Sequence, residues 1–216
     1  MSERLVPTDR TRLRRRAQRG DFDVATIHAI VDDAYVAHVG FVVDGAPRVL
    51  PMTYARVGDA LYLHGAAANA MLRAAAGTEV CVTITLLDGL VLARAALKHS
   101  MNYRSVVVFG TASTVEDGIE KRAALDAIVE HSVPGRATVA RPPTAAEVHT
   151  TLVLRVPITE ASAKVRTGGP NDDDADLDHA VWAGHVPLRL VPGAPVPDER
   201  MRARELVPPA PDTLAR

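Results

Sequence analysis

The chain has 216 residues, 47% of them hydrophobic, with a formal net charge of −1. That length suits one generous domain or two small ones. Near-neutral charge excludes the basic surface that supplies most nucleic-acid affinity, and 4% aromatics leave little for base stacking. A single cysteine, Cys81, excludes an internal disulfide or a cysteine zinc site. It reads as a small core residue and suits a reducing cytoplasm. No apolar run reaches the roughly 18–20 residues that span a bilayer, and none follows the N-terminal basic residues as in an export signal.

In chain order, TDRTRLRRRAQRG reads as a basic, solvent-facing helix ended by Gly20. DVATIHAIVDDA predicts a helix, with Val24, Ile27, Ile30 and Val31 at helical spacing and His28 at the surface. AYVAHVGFVVDG and PRVLPMTYARVGD flank an Asp44-Gly45 turn and predict a hairpin, and a further strand follows the turn at Gly58-Asp59. AANAMLRAAAG reads as a short helix closed by Gly77. TEVCVTITLLDG and LVLARAALK are expected to pair about a turn at Asp88-Gly89, and NYRSVVVFGTASTV to form one long strand. VEDGIEKRAALDAIVEH predicts a helix with Ile119, Leu125, Ile128 and Val129 inward, and HTTLVLRVPIT and ASAKVRTG predict late strands.

Six or more antiparallel strands with few helices exclude a doubly wound parallel sheet and predict a mainly β (α+β) chain, a small barrel with peripheral helices. The expected organisation is a helical segment over 1–34, a barrel domain over 35–190 and a proline-rich tail over 191–216, either disordered or wrapped over a surface.

Several chemistries are excluded by motif. There is no GxSxG elbow, no phosphate-binding GxxxxGK[ST] loop, no HExxH and no GxGxxG after a strand, and the eight histidines lack metal-ligand spacing. NDDDADLDH lacks the glycine and terminal glutamate of a calcium loop and reads as an acidic surface loop. In YLHGAAANAML a strand, Gly65 and small residues lead into a helix start, where backbone N–H groups and Asn69 face any anion. Pro51 inside PRVLPMTYAR marks an edge or an opening in the ladder. HSMNYRSVVVFG crowds polar side chains at the mouth of a buried strand, KVRTGG places Arg166 after a late strand, and Trp182 is the only tryptophan.

These segments, in this order, resemble the pyridoxamine 5′-phosphate oxidase-like family, and its flavin-nucleotide-binding branch with the nitroimidazole-resistance reductases. The resemblance spans residues 9 to 190, and HSMNYRSVVVFG is its most specific part. It implies a six-stranded antiparallel split β-barrel, a homodimer, and FMN in a groove between the subunits. It places Arg48, Val49, Leu50, Pro51, Met52 and Thr53 along the flavin ring, and His64 and Gly65 along the ribityl chain. Asn69 is placed at the phosphate, Tyr103, Arg104 and Ser105 on a strand reaching the cofactor, and Trp182 near the flavin. Relatives follow the helix start with a basic phosphate clamp, where this chain has Ala70. Losing a charge-assisted phosphate contact costs roughly 1.5–3 kcal/mol, so Arg73 or Arg104 replaces it or the groove takes another ligand, the deazaflavin F420 or haem.

The expected function is a cytoplasmic flavoprotein reductase. It would pass electrons from a reduced nicotinamide to a nitro compound or quinone, with His64 and His99 as proton donors. The alternative is a protein that binds or stores flavin, F420 or haem without turnover. Arg166 is a possible remnant of a substrate-phosphate site, with no convincing set around it.

Overall fold

The structure is a computed structural model that describes residues 3–201, 206–210 and 214. The parts of the proline-rich tail at 202–205, 211–213, 215 and 216 lie outside the described residues.

The arginine-rich N-terminal stretch is irregular rather than helical, apart from one 3-10 turn at Ala17–Arg19. A helix would set Arg10 over Arg14, Arg12 over Arg15 and Arg16, and Arg15 over Arg19, like charges at destabilising spacings. Tertiary ion pairs take the segment instead, with Arg10 reaching both Glu79 (2.6 Å) and Glu160. Strand β1 (Gly20–Asp21) leads into α1 (Val24–Asp33), which Asp23 caps by accepting the Thr26 N–H. Ile27, Ile30 and Val31 are buried as the spacing predicts, while His28 is half-buried with Nε2 3.4 Å from Asp59.

Strands β2 (Ala37–Val43) and β3 (Ala46–Met52) form the predicted hairpin. Its turn places Asp44 and Gly45 at φ 50° and 74°, as a tight hairpin turn of the primed type requires. A second hairpin joins β4 (Tyr54–Val57) to β5 (Ala60–Ala66), and α2 (Ala70–Ala75) follows. The expected strand pair about Asp88-Gly89 is one strand, β6 (Glu79–Leu92), whose register slips between Leu87 and Gly89. Gly89 serves close approach rather than a turn, since a Cβ there would lie 2.9 Å from the Val186 carbonyl oxygen.

Strands β7 (Ser100–Thr111) and β8 (Ser113–Thr114) precede the helices α3 (Gly118–Ser132), α4 (Arg136–Val139) and α5 (Ala145–His149). The last strands are β9 (Thr151–Pro157), β10 (Glu160–Arg166) and β11 (Gly184–Pro187). In α3 Ile128 is buried, but Ile119 and Val129 are exposed, contrary to expectation, because the helix covers only the small sheet's outer face.

One sheet has the order β1-β10-β7-β6-β2-β3 with β11 added along β6, and the other is β4-β5-β9-β8. The chain bends from one to the other at Thr53, at Ala112 and around Ile158, so the barrel is split and wholly antiparallel. Pro51 stands on the edge strand β3, where a missing N–H is harmless. Val39, Leu61, Leu63, Val82, Ile84, Val106, Val108 and Leu154 fill the space between the sheets. Tyr54 is buried there, its hydroxyl against the Val31 and Ala34 carbonyls, so it satisfies the end of α1. Cys81 is half-buried rather than core. Its register partner Gly40 and its neighbours Thr83 and Thr85 share the outward face of the large sheet.

Candidate functional site

The alternation of β7 sorts the polar cluster that opens it. Asn102 and Arg104 share the side of the buried Val106 and Val108, while Tyr103 and Ser105 face outward. Two rows cross the sheet there. Lys164, Ser105 and Thr85 are register partners in β10, β7 and β6, and Arg166, Tyr103 and Leu87 form the next row. At about 4.8 Å per strand each row spans roughly 10 Å.

At the β10 end lies a cavity of about 330 Å³ with Arg15, Arg16, Arg19, Lys98, Lys164 and Arg166 around it. A second cavity of about 390 Å³ shares Arg16, Arg19 and Arg166 with it. Of these six cations only Lys98 has a carboxylate partner among the described residues, Asp173 at 2.7 Å. Arg166 is 8% exposed, and its guanidinium donates to Asn102 Oδ1 and to the Gly168 and Gly169 carbonyls, all uncharged. Burial, then repulsion from Arg19 and Arg16, pulls its pKa below the ordinary arginine value. A buried cation without a counter-ion, facing other cations, awaits an anion.

At the β6 end lies a larger cavity, about 830 Å³, walled by Tyr35, Val36, Leu86, Leu87 and the Pro187–Leu190 stretch that follows β11. Arg104 lines it, with its Nε and Nη2 on Asp88 and its Nη1 on Asp33 at 2.6 Å. These carboxylates raise its pKa and answer its charge, so Arg104 is not the free phosphate clamp expected. Two of its five N–H donors remain for a ligand.

The other expected residues fall elsewhere. His99 is exposed at the basic cavity. His64 is on β5, paired with Val153 in the other sheet, and faces α3. The two histidines line different cavities and do not form a pair. Arg48, Val49, Pro51 and Thr53 are exposed along the edge strand, and Leu50 and Met52 pack on the core. Gly65 is half-buried against Leu72. The Asn69 side-chain oxygen accepts the Met71 and Leu72 N–H groups, so it caps α2, and Arg73 is exposed on that six-residue helix. Trp182 is 63% exposed and stacks over Gly184. Asp172 of the acidic loop bonds the Arg94 backbone N–H and guanidinium, which fixes the loop to the strand end.

Sequence reasoning found Arg166 but missed Arg15, Arg16, Arg19, Lys98 and Lys164. The only local signal is the alternation in KVR, which puts Lys164 and Arg166 on one face.

Fold and site together define a split-barrel protein with a cationic end and an apolar end on one sheet face. The profile of the pyridoxamine 5′-phosphate oxidase family matches residues 23–165, and the chain belongs to that family. It is similar to the flavocytochrome Anf3 from Azotobacter vinelandii, at 38% identity and TM-score 0.87 over 97% of each chain. It is also similar to the FAD and haem binding protein from Mycobacterium smegmatis, at 34% identity and TM-score 0.86 over 91% of this chain and 97% of that one. A candidate 5-nitroimidazole antibiotic resistance protein from Bacteroides thetaiotaomicron matches at 29% identity and TM-score 0.57, over 66% of this chain and 84% of that one. Among curated proteins none matches. No helix among the described residues is long and apolar enough to cross a membrane.

Proposed function

We propose that this chain binds a flavin nucleotide across the outward face of its large sheet and works as a dimeric oxidoreductase. The observation that carries the reading is Arg166, a buried guanidinium without a counter-ion at the head of two polar rows that end in an apolar cavity. Lys164 and Arg166 hold the phosphate, with Arg16 and Arg19 closing over it. Tyr103, Ser105 and Thr85 offer hydroxyls along the chain of the nucleotide, and Leu87, Val36 and Leu188 cover the ring. The spare N–H groups of Arg104 point at ring heteroatoms. His99, at the rim of the basic cavity, is the group that can exchange a proton near neutral pH. The flavin itself supplies the redox chemistry, taking hydride from a reduced nicotinamide and returning two electrons to a nitro compound or quinone.

FMN, the flavin expected, needs one phosphate site, and six cations also suit the pyrophosphate of FAD. Haem binding beside the flavin is the second reading, favoured by the two full-length similar structures, a flavocytochrome and an FAD and haem binding protein.

A second copy closes the trough in this reading. Val42 and Val49 near one end, and Leu87, Leu90 and Met101 near the other, are exposed on that same outward face, apolar residues that a partner would cover.

The test is an absorbance spectrum of the purified protein, then titration of flavin-free protein with FMN and FAD. Retained flavin, lost with Arg166→Gln, supports the proposal; a protein that retains neither overturns it.

A further inference from the structure

Asn102 is buried on β7, on the side of Val106 and Val108. Its Oδ1 accepts from the Arg166 guanidinium, and its Nδ2 donates to the Gly168 carbonyl at 3.1 Å. One amide therefore ties the guanidinium to the turn that follows β10. That turn places Gly168 at φ 95°, a conformation that side chains rarely adopt. The Gly168 and Gly169 carbonyls accept from Arg166 as well, at 3.4 and 3.0 Å. Asn102 and these two carbonyls take three of the five guanidinium N–H donors, which leaves two, the number a bidentate phosphate contact uses.

All three acceptors are neutral, although carboxylates follow closely in the chain. Asp172 pairs with Arg94 at 3.0 Å and Asp173 with Lys98 at 2.7 Å. Arg104, on the same side of β7 as Asn102, shows the contrast, since Asp88 and Asp33 neutralise it. Aspartate has nearly the shape of asparagine, and at position 102 it would set a carboxylate against Arg166 and cancel its charge. The amide orients the guanidinium without discharging it.

We propose that Asn102 is a positioning residue that makes the site specific for a phosphorylated ligand: its uncharged amide aims Arg166 at the phosphate and leaves the positive charge for the ligand. This rests on the reading that Arg166 holds the phosphate of a flavin nucleotide. Asn102 acts through Arg166, because it faces the core side of β7 and not the outward face along which the nucleotide lies.

The experiment titrates flavin-free protein with FMN and with riboflavin, which differ only in the phosphate, and follows flavin fluorescence. It compares the wild type with Asn102→Asp, and Asn102→Ser with Arg166→Gln, singly and together. The expected result is that Asn102→Asp binds riboflavin as the wild type does and FMN more than about tenfold more weakly. Asn102→Ser, too short to reach the guanidinium, lowers the preference for FMN in the wild type and has no further effect in Arg166→Gln. Equal losses for FMN and riboflavin in Asn102→Asp, or an equal effect of Asn102→Ser in both backgrounds, mean a general distortion and overturn the proposal. A wild type that prefers FMN, with the preference intact in Asn102→Asp, overturns the role of Asn102 and leaves the phosphate site at Arg166 standing. A wild type that binds neither flavin, or both alike, overturns that site and this inference with it.

Discussion

Arg104 and Arg166 are one strand apart and carry the same charge, yet their environments give them opposite roles. Asp88 and Asp33 neutralise Arg104, whereas only neutral oxygens meet Arg166. Replacing Arg166 by Gln removes one charge-assisted contact, so flavin affinity should fall about ten- to a hundredfold, as read by fluorescence titration. The affinity should also weaken as salt rises. Replacing Asp88 by Asn instead removes part of a structural pair. Arg104 and Asp88 are about a third exposed, 34% and 30%, and solvent screening keeps the cost low. Chemical denaturation should show a loss of about 1 kcal/mol.

The histidines make the pH response of the fold predictable. Burial lowers the His64 pKa below 6.5, and burial followed by Arg56 lowers that of His28. The unfolded chain therefore binds more protons than the native one once pH falls through 6.5. Stability from these two groups is full above that pH and declines as pH drops toward their folded values. Melting temperatures measured between pH 7.5 and 5 should fall toward acid, about 6.5 marking the onset, and His64→Gln should flatten the slope; an unchanged slope would contradict the burial of His64.

At the scale of elements, β6 decides the shape of the large cavity. A turn at Asp88-Gly89 would have ended the strand, but the bulge lets β6 continue to Leu92 and receive β11 along Leu90 and Val91. Gly89 makes that docking possible, and the Leu188 N–H bonds the Asp88 carbonyl at 3.0 Å. Gly89→Val should push β11 off the sheet and open the cavity wall, since a backbone oxygen cannot move aside cheaply. Limited proteolysis should then cut between 177 and 192, where the wild type resists. Hairpins with left-handed turn residues were legible from the sequence because one dipeptide dictates the turn. The β6 bulge was not, because Asp-Gly also occurs where a neighbouring strand needs room. The helical reading of the arginine-rich segment failed for a related reason, as Glu79 and Glu160 lie far from it in sequence.

At the scale of the whole molecule, the outward sheet face has one edge covered by the N-terminal segment, where Arg10 lies 4.7 Å over the Phe109 ring. The remainder exposes Val42 (59%) and Val49 (63%) near one end of the sheet and Met101 (51%) near the other, apolar positions along the length of the face that a partner would cover. Sedimentation should give twice the chain mass of 23.1 kDa, and Val49→Glu with Met101→Glu should return the mass of one chain. Flavin affinity should drop with it if the trough needs the second copy.

The sequence by itself determined the antiparallel strands, the two hairpin turns, the helix faces of α1 and the family, because each rests on neighbours a few residues apart. It also singled out Tyr103, Ser105 and Arg166, through a dense motif and one basic residue beyond a strand. Only the tertiary structure decided that Arg16 and Arg19 meet Lys164 and Arg166, that Asp33 and Asp88 silence Arg104, and that His64 and His99 lie in separate cavities. Charge compensation and burial depend on which elements become neighbours, and that pairing joins positions as far apart in sequence as Asp33 and Arg104, or Arg16 and Arg166.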